Sequence, residues 1–167
     1  MDDPNVGVLQ VAASLLALRL LRQGFFPRAR ELGRTVYVRS IFLQGMAHLA
    51  RGLLLSFLAD LVEPIRQIRT VADQLGVTAR ALYLAFAREY LPGVHPVVGC
   101  ETRAQLDELL ADWQSDTVDV AKLAFLVEAL PTHAAELVDP SRWPSIEDTP
   151  KRPGNQTDRP SIATMPG

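Results

Sequence analysis

The chain has 167 residues, of which 48% are hydrophobic and 22% charged, and it carries a formal net charge of −2. Those fractions belong to ordinary globular domains, so a collagen-like or wholly disordered chain is excluded and the length suits one domain. The 17 basic residues nearly cancel against 19 acidic ones, which leaves no bulk positive field for nucleic acid or an anionic membrane.

Val6 to Ala12 reads as a first buried strand, short and β-branched. Phe26 to Leu32 follows as a helix, with Pro27 in its first turn and Gly33 just past its end. Thr35 to Ser40 is a second buried strand. The period then changes to 3.6: Val62, Ile65, Ile68, Val71 and Leu75 make one apolar stripe, Pro64 suits a first helical turn, and Gly76 follows the end. Thr78 is placed to cap another helix carrying Leu82, Ala85, Phe86 and Tyr90. Val94 to Gly99 is a third buried strand.

Thr102-x-x-Gln105 has capping-box spacing, and Leu106, Leu109, Leu110 and Trp113 follow on one side of the helix it opens. A last helix is expected over Val118 to Leu130. From Pro131 onward prolines recur and large apolar residues thin out. Residues 1–147 are therefore expected to form the folded body, and 148–167 a disordered tail that cannot offset its ordering entropy.

Strands alternating with helices imply a parallel sheet, because each crossover must run back over a face. A complete (β/α)8 barrel takes about 250 residues, and this body offers little more than half of that. The fold class expected is α/β, the last three βα units of a partial TIM barrel.

Cys100 stands alone, so no intrachain disulfide is possible, and a lone cysteine is most often a small buried residue. Met1-Asp2-Asp3-Pro4 lacks the basic and apolar regions of a signal peptide. The apolar runs Ala12 to Leu18 and Gly52 to Ala59 fall well short of the roughly 20 residues of a membrane span. A cytoplasmic protein is expected. His48, His95 and His133 are far apart and have no metal-ligand spacing; His95 reads as a packing residue, and Tyr37 and Tyr83 as core or wall residues.

Three stretches carry a resemblance: Leu9-Gln10-Val11 with Leu15-Leu16 after it, Thr35 through Gly45 (TVYVRSIFLQG), and Val97 through Leu106 (VVGCETRAQL). In this order and spacing they resemble the C-terminal part of bacterial aldo-keto reductases, from the sixth barrel strand onward. Asp139 to Pro144 (DPSRWP) is similar to a terminal segment of some members. The resemblance implies NADP or NAD as cofactor and a small carbonyl compound as substrate of the intact protein.

It places Gln10 on the nicotinamide carboxamide and Arg39 against the ring. Ser40, Phe42, Gln44 and Gly45 fall beside the pyrophosphate, and Gly99, Glu101, Thr102, Arg103 and Gln105 at the adenosine ribose. Glycine before a helix N-terminus independently suits close approach of a phosphate-bearing ligand. Glu101 would repel a 2′-phosphate that Arg103 could offset, and Leu109 stands where relatives often have asparagine. The family's proton-donor tyrosine and its lysine, aspartate and histidine partners match nothing here, so no catalytic residue is assigned. A separate N-terminal half is then the expected partner for activity. The rival readings are a non-catalytic fragment binding a nucleotide or partner weakly, and an all-helical adaptor built on the leucine stripes.

Overall fold

The computed structural model describes residues 3–43, 56–133, 135–139 and 143. Strand β1 (Val8–Ala12), helices α1 (Arg19–Arg22) and α2 (Phe25–Glu31) and strand β2 (Thr35–Arg39) come first. A 3-10 turn (Ser56–Leu61) then runs into α3 (Val62–Leu75), followed by α4 (Ala79–Tyr90) and strand β3 (Val94–Pro96). Helices α5 (Arg103–Gln114), α6 (Val120–Ala129) and the short α7 (Ala135–Val138) complete the order. The three strands form one parallel sheet in the order β1-β2-β3. The all-helical adaptor is thereby set aside.

Local chemistry sets most element ends. Gly33 and Gly76 sit at φ 64° and 66°, a left-handed conformation that costs glycine nothing. The following amides close back onto the helix, Arg34 N–H to Ala29 O and Val77 N–H to Ala72 O. Thr78 Oγ1 accepts from Ala81 N–H at 3.0 Å to start α4, and Asp119 accepts from Ala121 and Lys122 to start α6. Two arginines close helix C-termini from outside. Arg88 donates to the carbonyls of Trp113 and Ser115 at 2.7 and 3.1 Å, and Arg22 to those of Val127 and Leu130 at 3.0 and 2.5 Å. The Arg22 bonds tie the N-terminal βα unit to the end of α6.

Strand β3 stops at Pro96 rather than Gly99. Proline donates nothing to a ladder, and after it a single bond, Val97 N–H to Val38 O at 2.8 Å, continues the pairing. β1 begins at Val8, opposite Thr35 where its partner begins, so Val6 and Gly7 stay outside the strand.

The expectation of fully buried strands fails on one side. Leu9, Val11, Val36, Val38 and Val94 face the core shared with the helices. On the opposite face Gln10 and His95 are exposed, and Val8 and Tyr37 are 61% and 40% exposed. Tyr37 and His95 are therefore neither core nor buried packing. The described helices cover one face of the sheet only.

Helix α4 is the centre of the core. Ala81 through Ala87 are all buried, which fits a segment apolar on every side, and α3, α5 and α6 all contact it. Phe86 is fully buried, worth roughly 2–3 kcal/mol of transfer free energy. Glutamine 44, glycine 45, His48 and the expected tail 148–167 lie outside the described residues.

Candidate functional site

The C-terminal ends of parallel strands leave backbone groups and loops free to meet a ligand, and six of the site residues expected from sequence line cavities there, in two groups. Gln10 and Arg39 line one cavity of about 260 Å³, with Ala12, Arg19, Val138 and Asp139. Gln10 lies opposite Tyr37 in the register, and Arg39 opposite Ala12 at the strand end. Arg39 Nη1 reaches Ser40 Oγ at 3.3 Å.

Phe42, Gly99, Glu101 and Gln105 line a second, larger cavity of about 620 Å³, together with Arg80, Cys100, Glu108 and Leu109. Cys100 is exposed here, contrary to the buried position expected of it, because β3 has already ended and residues 97–100 run over the surface. Gly99 has nothing within 4 Å of where a Cβ would stand, so its missing side chain leaves space on the cavity wall.

The turn joining the two groups is strained. Ser40 and Leu43 have φ of 60° and 44°, the left-handed region that non-glycine residues rarely enter. Leu43 N–H bonds Ser40 O at 2.9 Å, and the burial of Leu43 and Ile41 holds the turn in place.

The α5 N-terminus carries the capping box expected from Thr102 and Gln105. Thr102 Oγ1 accepts from Gln105 N–H at 3.2 Å, while Gln105 Oε1 accepts from Glu101 and Thr102 N–H at 2.7 and 3.3 Å. Arg103 points away along the helix, 91% exposed and 3.7 Å from Asp107. Ser40, Thr102 and Arg103 are not among the residues lining either cavity.

Sequence reasoning missed Arg80, Glu108 and Asp112. Arg80 Nη1 meets Glu108 Oε2 at 2.7 Å and its Nε meets Asp112 Oδ2 at 2.5 Å, with Thr78 Oγ1 also 3.0 Å from Asp112. Burial works against the charge on Arg80, yet bonds to Asp112 and Glu108 outweigh it and raise its pKa further. Glu108 and Asp112 share a face of α5 at i,i+4 spacing, a signal present in the sequence; their cation lies on α4 and needed the fold to find it.

Among the described residues there is no cluster of metal-ligating side chains, and no helix is long and apolar enough to cross a membrane. No protein-family model, curated protein or solved structure matches the chain.

Proposed function

We propose that the chain is the cofactor-binding part of an aldo-keto reductase-type oxidoreductase, an arc of a (β/α)8 barrel built from three consecutive βα units. One observation carries the reading. Residues far apart in sequence, Gln10 with Arg39 and Phe42 with Gly99, Glu101 and Gln105, come together in two cavities where parallel strands end. A sheet in sequential order with helices on one face also suits an arc whose open face, bearing Gln10, Tyr37 and His95, turns toward a barrel interior.

The residues present fit a nicotinamide dinucleotide. Gln10 offers an amide to a carboxamide, and the Arg39 guanidinium a flat cation to a ring. The space beside Gly99 admits the adenosine half. The bound cofactor would supply hydride to a carbonyl carbon or accept it from an alcohol, while this chain's residues bind and orient. The catalytic tyrosine of the family has no counterpart assigned here.

The test is a titration of the chain with NADH and NADPH, following cofactor fluorescence and thermal unfolding together. Saturable binding with a raised Tm is expected. A Gly99→Val variant should fold unchanged, because its side chain meets only open space, and should bind at least about tenfold more weakly through steric loss. No binding to the folded chain would end this reading. It would leave the alternative of a partner-binding module, favoured by the exposed sheet face.

A further inference from the structure

We propose that the cavity where β1 and β2 end holds a carboxylate between the guanidinium groups of Arg19 and Arg39. The site stands on its own charges. The substrate class it implies, a small carbonyl compound that also bears a carboxylate, rests on the oxidoreductase reading above.

Two arginines line this cavity, with Asp139 as the one carboxylate among the lining residues and the Gln10 amide beside them. They come from different elements. Arg39 ends β2, half-buried, its backbone held opposite Ala12 in the ladder. Arg19 opens α1 and is exposed. Among the described residues each guanidinium is engaged by a neutral group: Arg39 Nη1 donates to Ser40 Oγ at 3.3 Å, and Arg19 Nη1 to Gln23 Oε1 at 3.2 Å. Neither forms an ion pair with a described carboxylate, whereas Arg80, on the wall of the other cavity, is held by two.

An arginine carries five N–H donors, so most of those on Arg19 and Arg39 remain open to a ligand. Two cations and one carboxylate leave a net positive charge that a monoanion balances. A phosphate dianion would exceed it and be repelled by Asp139. At about 260 Å³ the space is smaller than the roughly 300–1,000 Å³ of sites for drug-sized ligands, which selects an acid of a few carbons. A guanidinium stacks through its face and donates through its edge, so Arg39 can hold the carboxylate while a flat ring lies against it.

The experiment titrates the full chain with pyruvate, with its neutral isostere pyruvamide and with inorganic phosphate. It follows by NMR the backbone amide signals of Ala12 and Ala17, which line the cavity. Pyruvate should bind about tenfold or more tightly than either of the others. Arg19→Met and Arg39→Met keep the aliphatic stem and remove the charge, and each should weaken pyruvate binding about tenfold. Arg19 is exposed, so its variant keeps the test decisive even where Arg39→Met disturbs the sheet. Pyruvamide or phosphate binding as tightly as pyruvate overturns the proposal, as does unchanged pyruvate binding in Arg19→Met. NADH binding with no response to pyruvate also overturns it and leaves the dinucleotide reading in place. A response to pyruvate with none to NADH upholds the site and removes the substrate assignment.

Discussion

Tyr37 and His95 face each other across the β2–β3 pair, ring centroids 5.1 Å apart and 34° from parallel, on the side of the sheet that no described helix covers. Cross-strand ring contacts stabilise a sheet, and an uncovered face holding Val8 and Tyr37 also invites association. Concentration-dependent self-association is expected by sedimentation velocity, and Tyr37→Lys should reduce it while preserving the far-ultraviolet spectrum. A chain that stays monomeric at high concentration would show that this face is stable in water by itself.

Tyr83 is 1% exposed, its hydroxyl makes no hydrogen bond, and burial pushes its pKa strongly upward. A buried hydroxyl without a partner costs about 1–3 kcal/mol of desolvation. Tyr83→Phe keeps the ring and its edge contact with Phe42 at 6.2 Å, and should stabilise the fold by about 1 kcal/mol. Urea denaturation would register this as a higher midpoint at unchanged slope. Phe86→Ala, a few residues away, should cost about 3–5 kcal/mol by the same measurement.

The two left-handed residues of the β2 turn should respond oppositely to glycine. Ser40→Gly relieves about 1 kcal/mol of backbone strain and gives up one long hydrogen bond from Arg39, so stability should rise or hold. Leu43→Gly relieves similar strain but empties a fully buried site, a net loss of about 2–4 kcal/mol. Thermal unfolding of the two variants side by side distinguishes strain from packing.

His133 supplies a pH dependence. Burial lowers its pKa from the ordinary 6.5, Asp60 partly opposes the shift, and Nε2 is buried without a partner. The unfolded chain therefore binds a proton at a pH where the folded chain does not. Stability is full above 6.5 and is lost as the pH falls through 6.5 toward the lowered folded value. Tm measured from pH 7.5 down to 5.5 should fall, and His133→Leu should flatten that slope.

Much of the architecture is legible in the residues themselves. The Thr102–Gln105 capping box, the Thr78 cap and the glycines after α2 and α3 depend on neighbours within one or two turns, and all lie where local spacing puts them. The apolar stripes hold in part: Ile65 and Ile68 on α3 and Leu109 on α5 are buried, while Val62, Leu106 and Leu110 are exposed. Strand ends were less legible, because Pro96 and the start of the partner strand decide how far a ladder runs. The gathering of Gln10 with Arg39 was suggested by a resemblance, and their sharing of one cavity wall emerged with the fold.

Sequence by itself determined helices α2 through α6, the Thr78 and Thr102 caps and the parallel alternation, because hydrogen bonds and hydrophobic period are local properties of the chain; the short α1 and α7 and the Asp119 cap came only with the structure. Only the tertiary structure decided which sheet face stays open, that Cys100 is exposed, and that Arg80 is neutralised by Glu108 and Asp112 from another helix. Those facts depend on distances between residues remote in sequence. An arginine reads the same in a sequence whether it waits for a ligand or is already paired, and the packing of α4 against α5 makes the difference.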